Sequence, residues 1–272
     1  MQSLPIAAQI YTVRDEAEKD FLAVLKEIKG MGYDGVELAG LYHYTPGEVK
    51  AMLSEAGLIA ISAHVPIQAW MEDPEKTTDA YHTIGCPYVA IPYLMEDQRP
   101  GTEGFQEILD LIHKIGRLCA DRNMILLYHN HDFEFLTLPN GRYALDELYA
   151  SVPAELLQTQ IDTCWVSVAG VDPAAYIRKY KGRSPIVHLK DYVGSKAENM
   201  YDLIGQTPNA DKESSRFQFR AVGDGCQNWS EILQASLDAG AKWVVVEQDL
   251  HETYTPMEDL RRSREFLRSL SW

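Results

Sequence analysis

The sequence predicts an α/β fold, a single-domain (β/α)8 TIM barrel spanning residues 1–272. Three observations predict it. Short runs rich in Val, Ile and Tyr recur eight times and suit strands. Amphipathic, helix-like stretches lie between them, several closed by Gly. A chain of 272 residues is also near the length at which eight such units close. Strands separated by helices pair in parallel through right-handed crossovers, and eight units close a barrel more naturally than they extend an open sheet. A doubly wound sheet would want a Gly-rich phosphate loop after an early strand. Gly223-Asp224-Gly225 comes late and lacks the third glycine.

In chain order, the first strand is expected at Ala7–Val13. The helix after it, Phe21–Met31, carries Phe21, Leu22, Leu25 and Ile28 as one apolar stripe and closes on Gly30 and Gly32. The second strand, Gly35–Leu38, leads to Thr45-Pro46-Gly47-Glu48, a capping box with Pro in the first helical turn. Strands three, four and five are expected at Ile59–Val65, Tyr88–Tyr93 and Ile125–His131. Strand six covers Leu157–Asp162, and Asp172-Pro173 marks a further helix start. Strand seven covers Ile186–Asp191. Val193–Arg220 breaks the rhythm, being long, polar and without periodicity, and is read as an active-site loop on the catalytic face. Strand eight covers Trp243–Asp249, and Thr255-Pro256 opens the last helix.

Charge and composition narrow the function. A net charge of −15 repels a phosphate backbone, and the basic cluster Arg261-Arg262-Ser263-Arg264 reads as the solvated face of a terminal helix. No nucleic-acid partner is expected. No apolar run approaches the ~20 residues of a membrane span, so no membrane partner is expected either. Met1–Ile6 lacks a basic n-region and an apolar h-region. The four cysteines form no C-x-x-C pair and read as reduced, mostly buried thiols. Together these features predict a cytoplasmic protein.

In a barrel of this kind functional residues come from the C-terminal ends of the strands. Polar residues concentrate there: Glu37, His64, the run Tyr128-His129-Asn130-His131-Asp132-Phe133-Glu134, Gln160 and Asp162, His188, Lys190 and Asp191, Glu247 and Asp249. Residues two apart share a face of a strand, which pairs Ser62 with His64, Gln160 with Asp162, His188 with Lys190, and Glu247 with Asp249. Taken singly, each is more simply a helix cap or a structural hydrogen-bonding group. Together, carboxylates and imidazoles converging on one barrel mouth repel one another unless a cation joins them, which points to a divalent-metal site.

These segments resemble the sugar phosphate isomerase/epimerase family, the xylose-isomerase-like barrels. The resemblance is carried by Gly32–Leu38 (GYDGVEL), Tyr128–Phe135 (YHNHDFEF), Asp162–Trp165 with Ala169–Pro173, His188-Leu189-Lys190-Asp191, and Val222–Gly225, in family order over nearly the whole chain. It implies a divalent ion held by Glu134, Asp162, His188 and Glu247. His131 is an alternative ligand, because some relatives place the strand-five carboxylate within the strand, where this chain has Tyr128 and His129. A mainly oxygen shell with one imidazole suits Mn²⁺ or Mg²⁺, with Zn²⁺ or Co²⁺ as alternatives. The resemblance also implies a small sugar or polyol substrate, phosphorylated or not. A homo-oligomer is common among similar proteins.

The activity implied first is an isomerase or epimerase. Glu134 and Glu247 would stand as catalytic carboxylates on opposite faces of the sugar, one removing a proton next to a carbonyl through an enediolate and the other returning it. His64, His131 and Lys190 would bind substrate, and Glu37 would orient a hydroxyl or a histidine. Trp165 and Tyr11 are read either as an apolar wall for the sugar or as ordinary packing. The same first step serves a metal-dependent lyase or dehydratase acting on a keto-inositol or 3-keto-glycoside, which is the alternative. An endonuclease IV-like phosphodiesterase or a non-catalytic sugar-binding barrel are weaker readings, the former opposed by the acidic charge.

Overall fold

The computed structural model describes residues 3–196 and 217–272. Seven strands run in order: β1 (Ile6–Gln9), β2 (Gly35–Ala39), β3 (Ile59–His64), β4 (Tyr88–Ile91), β5 (Ile125–His129), β6 (Gln158–Asp162) and β7 (Ile186–Leu189). A short antiparallel ribbon follows, β8 (Asp191–Val193) against β9 (Gln218–Arg220). The last strand, β10 (Trp243–Val246), pairs in parallel with both β7 and β1 and closes an eight-stranded barrel. Among the described residues no helix is long and apolar enough to cross a membrane.

The helices begin and end where the sequence signals fall. Thr45 and Glu48 exchange the capping-box bonds at the start of the helix Pro46–Ala56. Asp172 and Thr255 cap the helices Pro173–Lys179 and Pro256–Ser269, each with Pro in the first turn. Gly32, at φ 89°, ends the helix Phe21–Met31 in the left-handed region that L side chains rarely adopt.

Inside the barrel, Ala7, Ile61, Ala90, Leu127, Ile186 and Val245 pack as one buried apolar layer. Two residues further along the same inward faces the chain turns polar: Ala7 gives way to Gln9, Leu127 to His129, Ile186 to His188 and Val245 to Glu247. The apolar layer is a floor, and the polar layer above it lies at the C-terminal mouth of the barrel.

Several expected strands are shorter than the apolar pattern. The ladder of β1 stops at Gln9, and Ile10–Val13 coils into a 3-10 turn. β5 stops at His129, so His131 and Glu134 belong to the loop beyond it. β7 stops at Leu189, and β10 at Val246, leaving Glu247 and Asp249 just past its end. The sequence predicts Val193–Arg220 as a single loop. Its two ends instead form the ribbon, where Phe217, Phe219 and Tyr192 are buried against Trp165 and Cys164; its middle, residues 197–216, lies outside the described residues.

Candidate metal centre and active site

Four buried side chains from four strand ends converge at the mouth: His129 ending β5, Asp162 ending β6, His188 on β7 and Glu247 just after β10. One ligating atom of each lies within 4.8 Å of the others. The structure therefore brings three of the expected ligands together, Asp162, His188 and Glu247, and sets His129 beside them. Neither Glu134 nor His131 belongs to this group.

Each of the four is held by a specific neighbour. Asp162 uses Oδ1 to cap the following helix, accepting from the N–H groups of Cys164 and Trp165 at 2.8 and 3.1 Å. Its Oδ2 is left toward the cluster. His188 Nδ1 lies 2.9 Å from Glu247 Oε2, and its Nε2 lies 2.7 Å from Glu37 Oε1 without hydrogen-bond alignment. Burial alone would lower the His188 pKa, but the flanking Glu37 and Glu247 carboxylates lift it to about 10 in the absence of a cation.

Glu37 sits beneath the cluster and does not reach the cavity. It accepts from the Gln9 amide at 2.6 Å and the Gln160 amide at 2.5 Å. A carboxylate only accepts, so the Gln160 amide must turn its nitrogen to Glu37 and its oxygen toward His64 and His129. That oxygen is 2.7 Å from His64 Nε2 and 3.2 Å from His129 Nδ1. The His129 proton is then on Nδ1, and Nε2 keeps its lone pair, 3.8 Å from Asp162 Oδ2. Burial holds His129 well below the ordinary histidine pKa, so the ring is neutral. Of the two roles expected for Glu37, orienting a histidine is the one its contacts allow.

Above the cluster lies a cavity of about 320 Å³, walled by Tyr11, Tyr93, Pro66 and Pro92 and by the polar groups His64, His131, Lys190, Glu247 and Asp249. This volume is near the lower end for small-molecule sites. Tyr11 thus lines the cavity, whereas Trp165 is buried behind Lys190 with its ring centre 5.4 Å from the ammonium. Lys190 Nζ lies 3.1 Å from Asp162, 3.0 Å from Glu247, and 3.0 and 3.2 Å from the two oxygens of Asp249. Burial alone would lower its pKa, but these carboxylates raise it well above normal and keep it cationic.

Glu134 lies elsewhere. It is buried against the Tyr128 hydroxyl at 2.6 Å and the His131 backbone N–H at 2.7 Å, and does not line the cavity. Burial raises its carboxyl to about 7, against the pull of those two hydrogen bonds. The physical reason for its position is the end of β5. Asn130 turns aside to accept the Asp162 N–H at 3.0 Å, and the chain then folds into a tight turn at Phe133–Phe135. His131 does face the cavity. Its ring stacks on Phe133, with centres 5.1 Å apart, and its buried Nδ1 has no partner among the described residues. Burial, and then the nearby Lys190 charge, hold its pKa well below normal, so His131 is neutral. Asp249, His129 and Gln160 are the site residues that sequence reasoning left unassigned; their parity with Glu247, Leu127 and Asp162 was the available signal.

The donor set fits a divalent cation. Two imidazoles and two carboxylates offer four ligand atoms; two of the buried atoms, Asp162 Oδ2 and His188 Nε2, have ionic contacts to Lys190 at 3.1 Å and Glu37 at 2.7 Å but no aligned hydrogen bond among the described residues. The Lys190 ammonium offsets part of the charge of the buried carboxylates around it, and a divalent cation would offset more.

The model of the xylose isomerase-like TIM barrel family matches residues 25–270. The chain is 25% identical over 278 residues to the inosose dehydratase of Clostridium beijerinckii, covering 92% of this chain and 90% of that protein. It is 23% identical over 251 residues to the inosose dehydratase of Geobacillus kaustophilus, covering 83% and 79%. Among solved structures it resembles a sugar phosphate isomerase/epimerase from Parabacteroides distasonis, with TM-score 0.79, 18% identity and coverage of 99% and 95%. It also resembles the IOLI protein with a bound zinc atom, with TM-score 0.70, 14% identity and 98% of each chain covered.

Proposed function

Because the chain belongs to the xylose isomerase-like TIM barrel family, we propose that it is a metal-dependent lyase of the dehydratase kind, acting on a keto-inositol or related keto-sugar. One observation carries the choice of lyase over epimerase. Epimerisation by paired carboxylates needs one on each face of the substrate, and Glu134 is buried away from the cavity that Glu247 lines. The dehydratase names of the two relatives point the same way.

His129, Asp162, His188 and Glu247 would hold the ion. A shell with two imidazoles favours Zn²⁺, Co²⁺ or Mn²⁺ over Mg²⁺, a shift from the oxygen-rich shell that Glu134 would have made. A divalent ion there supplies Lewis-acid polarisation of a carbonyl oxygen. The chain's own groups do the rest. His131, neutral and lining the cavity, takes the proton from the carbon next to the carbonyl. The Lys190 ammonium stabilises the negative charge that develops on the substrate. His131 then returns the proton to the departing β-hydroxyl, so that one water leaves and a double bond remains. Tyr11 and Tyr93 face the apolar side of the ring.

The test is incubation of metal-loaded protein with inososes and other keto-sugars, followed by mass spectrometry and by proton exchange in D₂O. Loss of one water is expected. His131→Gln should lower kcat by about 10²-fold or more while metal content and KM stay within a few-fold. Exchange with inversion and no water loss would make the protein an epimerase instead. Full activity in His131→Gln would remove the base from its assigned role.

A further inference from the structure

We infer that Asp249 is a specificity-determining residue: by neutralising Lys190 it reserves the cavity for uncharged keto-polyols and closes it to phosphorylated or carboxylated sugars. The inference rests on the reading of this cavity as the substrate site.

Lys190 is the only lysine or arginine among the described residues lining the cavity. Its ammonium is already surrounded by Asp162, Glu247 and Asp249 at 3.0–3.2 Å. Asp162 and Glu247 also belong to the candidate metal cluster, so a bound cation would share their charge. Asp249 is outside that cluster and places both oxygens on Lys190, which makes it the ammonium's own counter-ion. With a divalent ion on Asp162 and Glu247, and with Lys190 matched by Asp249, the centre carries no net positive charge. A substrate phosphate or carboxylate, which brings at least one full charge, therefore finds no lysine or arginine lining the cavity that lacks its own carboxylate.

Asp249 is fixed in that role. Arg14 Nη1 donates to the Asp249 carbonyl at 3.1 Å and the Tyr11 carbonyl at 2.8 Å, and its guanidinium lies 4.2 Å from the Tyr11 ring centre. This ties the segment after β10 to the turn after β1. Elsewhere in the wall, Tyr11, Tyr93, Pro66 and Pro92 suit the C–H face of a ring and carry no positive charge. The other basic side chains nearby, Arg99 and Lys196, line a separate cavity, where Lys196 is paired with Asp132 at 2.6 Å.

The experiment uses metal-loaded protein and calorimetric titration with matched probes: an inosose, fructose with fructose 6-phosphate, xylulose with xylulose 5-phosphate, and inorganic phosphate alone. Wild-type protein should bind the neutral member of each pair roughly tenfold or more tightly than its phosphate. In Asp249→Asn, which keeps the side chain's shape, the preference should shrink by roughly tenfold and inorganic phosphate should bind more tightly. Equal or tighter wild-type binding of the phosphates overturns the inference, as does an unchanged ratio in a folded Asp249→Asn, or failure of every neutral probe to bind. The wild-type ratios stand even if the variant does not fold. Neutral binding without water loss or proton exchange would instead remove the lyase reading and leave the selectivity in place.

Discussion

Burial of Glu134 against Tyr128 and the His131 backbone gives one carboxyl in this protein an unusual titration, with its pKa lifted to about 7. The folded state keeps that proton after the unfolded chain has released it near the ordinary glutamate value. Its stabilising contribution is full below about pH 4.5 and is lost as pH rises toward 7, by about 3 kcal/mol at most. Glu134→Gln carries no titrating proton. Urea unfolding across this range should therefore show the variant gaining on the wild type by up to that amount as pH rises; parallel pH profiles would contradict the assignment. The same residue shows where reading single positions fails. The motif placed Glu134 among the ligands, but a side chain beyond the last ladder bond obeys the turn that carries it, and this turn aims Glu134 at Tyr128.

At the scale of elements, the turn after β9 hangs on Asp191. Its carboxylate accepts the N–H groups of Tyr192, Gly223, Gly225 and Gln227 and the Trp229 indole N–H, all within 2.9–3.2 Å. A Cβ on Gly225 would collide with Asp191, so glycine is needed there for the close approach. This explains the Val222–Gly225 motif as a binding loop for a carboxylate of the protein itself. Asp191→Ala leaves those buried donors unpaired and should cost about 3–5 kcal/mol in denaturant unfolding. It should also lower kcat, because the adjacent Lys190 loses its anchor; unchanged stability would show that water replaces the carboxylate. The strands themselves were legible because β-branched runs and turn residues are local signals. Their ends were not, because a strand stops where its neighbour's ladder stops: β5 ends at His129 once Asn130 turns to the Asp162 backbone.

At the scale of the whole molecule, the candidate ligands come from the ends of β5, β6, β7 and β10, so one ion would join half of the barrel's staves. Binding only to the folded state stabilises it by about 2.7 kcal/mol at a free metal concentration near 100 times Kd. Chelator treatment should lower Tm by about 5 °C or more, with recovery on adding Zn²⁺ or Mn²⁺. Asp162→Ala should not respond to either; an equal metal response in wild type and variant would place the ion elsewhere. The sequence by itself determined the architecture, since alternation within strands, caps and left-handed glycines are written in neighbouring residues. It also determined that the polar layer lies at the strand ends above an apolar floor. Only the tertiary structure decided which residues meet: His129 in place of Glu134, Glu37 beneath the cluster, and Asp249 on Lys190. The reason is physical. Inward parity is a property of one strand and can be counted along it, whereas distance across the barrel depends on register between strands and on where each ladder ends.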